Sequence, residues 1–233
     1  MDLKEAEKVN NKFKADRVEI VFYTDPLCCW SWALYPHLST LRNLFKDNIN
    51  LSYCMSGLIP DWNSYNDPMN TVSRPAQMGP IWMEAQHISG AAINPQIWIQ
   101  NPPSSSYPAC IAVKAAGLQS SEIEEAYLVK LWEAVMTDAK DISKPEVLIE
   151  VAQQTAENTG LDFNIARFST DLSAEDSLEL FRNDLKRVRY NRIGRFPTIT
   201  MSKEDGRGII LTGYRPYEVL SAAFSNLFNN SEN

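Results

Sequence analysis

Histidine is scarce in this chain: only His37 and His87 occur among 233 residues, and cysteine stands only at positions 28, 29, 54 and 110. So thin a supply, at spacings that match no zinc ligand set, leaves a Cys/His metal centre poorly supplied and is too sparse for a disulfide framework. Positive charge is in deficit too. Lysine and arginine number 22 against 29 acidic residues, a net charge of −7, and a chain without a dominant basic field is a poor binder of nucleic-acid backbones. No stretch approaches the length of a bilayer span without a charge or a proline, so no membrane-spanning helix is expected. The first residues, MDLKEAEKVNNKFKADR, carry charges every few positions and no apolar core of secretory type; a soluble protein of the cytoplasm is expected. Gly-x-Gly-x-x-Gly, phosphate-loop and Gly-x-Ser-x-Gly patterns are missing as well, which leaves nucleotide binding and acyl-serine hydrolysis without support.

The length predicts one large domain, or one domain carrying a sizeable insertion. Residues 17–24 (RVEIVFYT) are rich in β-branched and aromatic types and stop at Asp25-Pro26, the pattern of a buried strand meeting a turn. Apolar residues then recur at Trp30, Leu34, Leu38, Leu41 and Phe45, the helical period, with a kink expected at Pro36. Residues 50–55 (NLSYCM) read as a second strand, and strand, helix, strand at this spacing makes a βαβ unit with a parallel pair. Prolines from 60 to 108 break the chain into short pieces, which read as loop until about Tyr107.

Helices follow. One has Ser106 as its N-cap and Pro108 in its first turn, and ends near Gly117. The patterns Ser121-x-x-Glu124 and Ser143-x-x-Glu146 read as capping boxes of two more, the second closing at Gly160. Another spans about Ser173 to Tyr190, with Leu178, Phe181, Leu185 and Val188 on one face. Strand texture returns at 197–201 and 208–212, joined through Asp205-Gly206, before a last helix over 216–228. The β elements therefore lie at the two ends of the chain. An α/β core of residues 15–60 and 173–229 is expected, interrupted by an all-helical subdomain at 61–172.

The stretch Thr24-Asp25-Pro26-Leu27-Cys28-Cys29-Trp30-Ser31-Trp32 takes a strand end straight into a helix start, with Cys28 near the N-cap. Unpaired N–H groups and the positive end of the helix dipole favour an anion there. Cys28 is accordingly expected to be at least partly exposed and more acidic than a free thiol, hence a nucleophile. Ser31 lies one turn later, where its hydroxyl could donate to a Cys28 thiolate but cannot form a disulfide.

Here the sequence resembles the DsbA-like branch of the thioredoxin superfamily, in which a strand ending in Asp-Pro-x-Cys leads into a Cys-x-x-Cys helix start. Asp25-Pro26-Leu27-Cys28 matches, while Ser31 stands where the family has its second cysteine. The resemblance extends to Arg195-Phe196-Pro197-Thr198, at the place of the family's cis-proline loop, to the helix at residues 106–116, and to Gly213-Tyr214-Arg215-Pro216. These look like the FrnE-type cytoplasmic relatives, over about Arg17 to Leu227. The resemblance implies a thioredoxin fold with a helical insertion, a cis bond before Pro197, Cys28 and Ser31 as catalytic residues, and Trp30, Phe196 and Pro197 as substrate-binding residues. It implies a thiol-disulfide oxidoreductase or disulfide isomerase. The Cys28 thiolate would attack a disulfide of a protein or peptide, and an outside thiol such as glutathione would resolve the mixed disulfide, since Ser31 cannot.

Two rivals stay open. One is an enzyme like the kappa-class glutathione transferases and hydroxychromene-carboxylate isomerases, with Ser31 as the active hydroxyl; the other is an adaptor that presents a client to a protease, its redox site decayed. No metal and no cofactor is expected, glutathione as co-substrate aside; nucleic acid and membrane are not expected partners, and the oligomeric state stays open. Cys29, Cys54 and Cys110 read as packing, His37 as an ordinary helix residue, and His87, next to Ser89-Gly90, as interacting with a helix C-terminus, neither histidine with a catalytic partner. Arg182, Lys186, Arg187, Arg189, Arg192 and Arg195 read as a solvated helix face. Their run leads into the proline loop, where it could lower a thiol pKa or hold a peptide carboxylate.

Overall fold

A computed structural model describes residues 17–67 and 70–229. Most of the N-terminal stretch read above, and Pro68, lie outside the described residues. The chain begins with β1 (Val18–Thr24), α1 (Cys29–Leu44) and β2 (Ile49–Met55). After a short 3₁₀ turn at Pro75–Gln77 come the helices α2 (Met78–Ser89), α3 (Ile97–Gln100), α4 (Tyr107–Gly117) and α5 (Ser121–Trp132). A π-turn at Glu133–Thr137 extends α5. Next come α6 (Pro145–Thr159), α7 (Ile165–Asp171) and α8 (Glu175–Tyr190), and the chain closes with β3 (Thr198–Ser202), β4 (Gly208–Thr212) and α9 (Tyr217–Asn229).

The sheet has the order β2-β1-β3-β4. β1 and β2 are parallel as expected, and β1–β3 and β3–β4 are antiparallel. Six of seven β1 residues are buried, because helices cover both faces of a central strand. Val18, Ile20 and Phe22 point into the main apolar cluster with Leu34, Leu38 and Leu41 of α1 and Phe224 of α9. That cluster runs on to Tyr127, Trp132 and Phe168 of the helical part. Val21, Tyr23 and Cys54 form a second, smaller cluster on the other face, closed by Val188, Ile193 and Phe196. α1 continues as helix through Pro36.

Three local expectations are corrected. The segment after Pro60 holds a full helix, α2, because Pro80 falls in its first turn, where the missing N–H has no intrahelical partner to lose. Its Trp82 packs edge-on against Trp98 of α3 with ring centroids 5.1 Å apart, both rings buried. The cap of α5 is Ser120 rather than Ser121: the Ser120 Oγ accepts the Ile123 N–H at 3.2 Å, while Glu124 turns to Lys114. Ser143 does not cap α6 either, since Lys144 occupies the N-cap and the Ser143 hydroxyl donates to Asp141 Oδ1 at 2.5 Å. Gly160 closes α6 in the left-handed conformation at φ 67°, as read from the sequence.

Candidate functional site

β1 delivers the chain to Asp25 at the carboxyl end of the sheet, and the turn Asp25-Pro26-Leu27 is tied by the Cys28 N–H donating to the Asp25 carbonyl at 3.0 Å. Cys28 is the N-cap of α1 with extended backbone (φ −87°, ψ 101°). Its carbonyl accepts the N–H groups of Ser31 at 3.0 Å and Trp32 at 3.2 Å.

The thiol is not the exposed, acidic group expected there. Cys28 is 5% exposed, and burial pushes its thiol up to about 11. The Ser31 hydroxyl and the Ser31 and Trp30 backbone pull the other way, while the neighbouring Asp25 adds to the rise. No arginine is among the main influences. Taking an anion out of water costs more here than the helix terminus returns. Ser31 is fully buried, and its Oγ makes no hydrogen bond of normal geometry; it lies near enough to Cys28 to favour a thiolate without closing a bond to it.

All four cysteines are free and buried. Cys29 joins the main apolar cluster. The Cys54 thiol donates to the Asp184 carbonyl at 3.6 Å and that of Cys110 to Asp25 Oδ2 at 3.4 Å.

Asp25 is the residue whose part the sequence did not disclose beyond a turn. It is fully buried. Its Oδ1 accepts the Leu27 N–H at 2.8 Å, and its Oδ2 accepts the Leu58 N–H at 2.6 Å and the Ser106 hydroxyl at 2.9 Å. The Trp132 indole N–H donates to its carbonyl at 3.3 Å. Burial raises its pKa against the pull of these donors. Gly57 makes the arrangement possible: at φ +61° it swings the Leu58 N–H toward Asp25, and a Cβ in its place would meet the rings and methyls of Tyr107 and Leu185 at 2.8 and 2.9 Å.

The other residues expected at the site lie about the same end of the sheet. Tyr23 pairs with Thr198, which sets the cis Phe196–Pro197 peptide beside the end of β1. Pro197 is buried and its carbonyl accepts the Gly213 N–H at 2.7 Å. Phe196, partly buried, packs against the second cluster. Trp30, half-buried, stands with its ring 6.0 Å from Tyr214. The Tyr214 hydroxyl lies 3.0 Å from His37 Nε2, so His37 has a partner that its sequence context did not show. Tyr65, from the segment after β2, is raised to about 12 by burial and by the fields of Asp67, Asp25 and Cys28. The arrangement offers the buried Cys28 thiol, a buried serine one turn later, and the neighbouring rings of Trp30 and Tyr214. Among the described residues no cluster of metal-ligating side chains occurs and no helix is long and apolar enough to cross a membrane.

The chain is similar to known proteins over most of its length. It is 26% identical over 208 residues to the ClpXP adapter protein SpxH of Halalkalibacterium halodurans, covering 88% of this chain and 66% of that one. It therefore spans just under two thirds of that relative. A Nitrosomonas europaea structure assigned to the protein disulfide isomerases superposes with a TM-score of 0.75 at 18% identity, over 92% of this chain and 99% of that one. The cytosolic disulfide reductase DsbM of Pseudomonas aeruginosa gives 0.70 at 17%, over 90% and 98%. The thioredoxin family profile matches residues 21–222. With the family profile matched over residues 21–222, the chain belongs to the thioredoxin family, and its fold, a four-stranded sheet with a helical insertion, is shared with the disulfide isomerase and reductase structures above.

Proposed function

We propose that this protein is a client-binding adaptor built on a DsbA-like fold, working in the cytoplasm and gripping another protein through a surface rather than through a covalent bond. The observation that carries this reading is the state of position 28. Cys28 is buried at 5% exposure and burial holds its thiol well above the free value, so little thiolate is present at neutral pH, and Ser31 removes the thiol that would resolve a mixed disulfide. Both halves of a dithiol cycle are thus weakened while the fold is kept. The 26% identity to a protein named as a ClpXP adapter points the same way.

A second reading has its own support. The Ser31 hydroxyl and the first N–H groups of α1 do favour a thiolate at Cys28, beside a cis-proline loop. In this reading the Cys28 thiolate attacks a client disulfide and releases one client thiolate. Glutathione then attacks the client sulfur of the mixed disulfide, which frees Cys28 and leaves a client–glutathione disulfide. Ser31 as an active hydroxyl in its own right gains less, for no base is hydrogen-bonded to it.

The deciding experiment is capture of lysate proteins by wild type, Cys28→Ala and Ser31→Ala, resolved with and without reductant. The adaptor reading expects the same reductant-resistant partners for all three. Partners lost with Cys28→Ala, or released by reductant, would overturn it in favour of the thiol enzyme.

A further inference from the structure

β4 is the edge of the sheet beyond β3. The phase of its ladder is fixed by two bonds, Gly213 N–H to the Pro197 carbonyl at 2.7 Å and Lys203 N–H to the Arg207 carbonyl at 2.9 Å. In an antiparallel pair such bonds alternate. Residues 209 and 211 therefore face β3, and Gly208, Ile210 and Thr212 turn their N–H and C=O groups outward. No described backbone group pairs with them. Natural edges are usually blunted by charge, proline or a bulge, yet here the middle of the edge is Ile210, 64% exposed.

The charge beside this edge is the reverse of the charge of the whole. The Gly213–Pro197 bond lays residues 195–197 alongside 213–215 at the end of β4 nearest Cys28. Arg195 and Arg215 are both exposed there, as is Arg192. Earlier basic residues of α8 are neutralised, Arg182 by Glu175 and Lys186 by Glu179 at 3.3 Å; Arg195 and Arg215 make no ion pair with a described residue. In a chain of net charge −7 this is a local cationic end to an open strand.

We propose that β4 takes an extended acidic segment of the client as a further strand, its backbone pairing with Gly208, Ile210 and Thr212 and its carboxylates meeting Arg195 and Arg215. Main-chain pairing supplies affinity in such strand addition, and the side chains select. The inference rests on the adaptor reading and names the chemistry of what is gripped.

The test uses the full chain and two fluorescein-labelled peptides of about ten residues, one alternating valine with glutamate and one alternating valine with lysine. Anisotropy should show the acidic peptide binding about tenfold tighter, with the difference shrinking as salt is raised. Ile210→Pro removes one outward N–H while sparing the β3 ladder, so it should weaken the acidic peptide about tenfold. Ile210→Thr should leave binding within about twofold. The double substitution Arg195→Glu with Arg215→Glu should invert the preference between peptides, a readout that needs no change in the strand. Equal binding of both peptides, or unchanged binding by Ile210→Pro, would overturn the proposal. So would a dimer that Ile210→Pro abolishes, which would make the occupant a second copy. If the wild type captures clients independently of Cys28 and Ile210→Pro captures them equally well, the adaptor reading stands and the edge is wrong; if the wild type captures none, the adaptor reading fails whatever the peptides do.

Discussion

The Ser106 hydroxyl donates to Asp25 Oδ2 at 2.9 Å across 81 residues of sequence. One buried carboxyl thereby joins the strand end that carries Cys28 to the first turn of α4. Its two oxygens supply acceptors to the Leu27 and Leu58 N–H groups and the Ser106 hydroxyl, which is the condition for burying those donors without a large penalty.

Asp25→Ala should strand the Leu27 and Leu58 N–H groups, while the Ser106 hydroxyl keeps the Ile59 carbonyl as acceptor at 3.4 Å. Each buried donor left without an acceptor costs about 1–3 kcal/mol, so urea denaturation should show a loss of at least about 2 kcal/mol. Asp25→Asn, which keeps one acceptor oxygen, should lose less. A loss for Asp25→Ala no larger than for Asp25→Asn would contradict the accounting.

Wild type and Asp25→Asn also report on pH. Because the folded-state pKa of Asp25 is raised, the protonated form is the one the fold favours. The stabilisation is fully present below the unfolded carboxyl value of about 3.9 and is lost as pH rises through the folded value. The amide of the variant does not titrate. Wild type should therefore gain on Asp25→Asn as pH is lowered from neutrality toward the ordinary carboxylate range; a constant gap across that range would show that Asp25 is not shifted.

Cys28 should alkylate slowly at neutral pH, with a rate still climbing above the midpoint of a free thiol, about 8.5, toward the value near 11 that burial imposes. Ser31→Ala removes the strongest of the lowering influences and should shift the curve higher still. Rates of iodoacetamide labelling against pH decide both points, and a midpoint at or below that of free cysteine would restore the activated nucleophile.

Ser31→Cys should place a second thiol one turn from Cys28, within reach of a disulfide, and give turnover of insulin or a model disulfide peptide that the wild type lacks. Equal turnover by both forms would mean that the missing thiol at position 31 is not the limiting feature.

Lys114, nearly buried, holds Glu124 at 2.7 Å and Asp184 at 3.0 Å, and donates to the Tyr53 carbonyl at 2.8 Å. Lys114→Met leaves two partly buried carboxylates without their cation and should cost about 3 kcal/mol, the lower end for breaking a buried pair. Pairing raises the Lys114 pKa, so this stabilisation is fully present below the unfolded lysine value of about 10.4 and disappears as pH rises through the folded value. Denaturant midpoints for wild type and Lys114→Met should converge at strongly alkaline pH.

Much of this fold is legible in local chemistry. The β-branched run at 17–24 and the helical spacing after Trp30 gave β1 and α1, since each is a pattern contained within one element. Pro197 and Thr198 became informative only beside Asp25-Pro26-Leu27-Cys28, through likeness to a family rather than through periodicity. What escaped was whatever depends on distant partners. Nothing near Cys28 in sequence announces that it is covered, because burial is decided by the rest of the fold. Asp25 reads locally as a turn former, while most of its donors come from positions 58, 106 and 110. His37 likewise meets its partner only at Tyr214. The helix α2 was hidden for a different reason: proline is read as a breaker, yet within the first turn of a helix it breaks nothing.

The antiparallel pairing of Tyr23 with Thr198 also sets a schedule. The two strands leave the ribosome roughly 175 residues apart, which at about 5–20 residues per second is on the order of 10–35 seconds. Through that interval β1 and the nascent Cys28 corner lack the strand that completes the sheet beside them. A growing chain must shield an open apolar edge until β3 arrives, so the burial of the Cys28 corner is completed only late in synthesis.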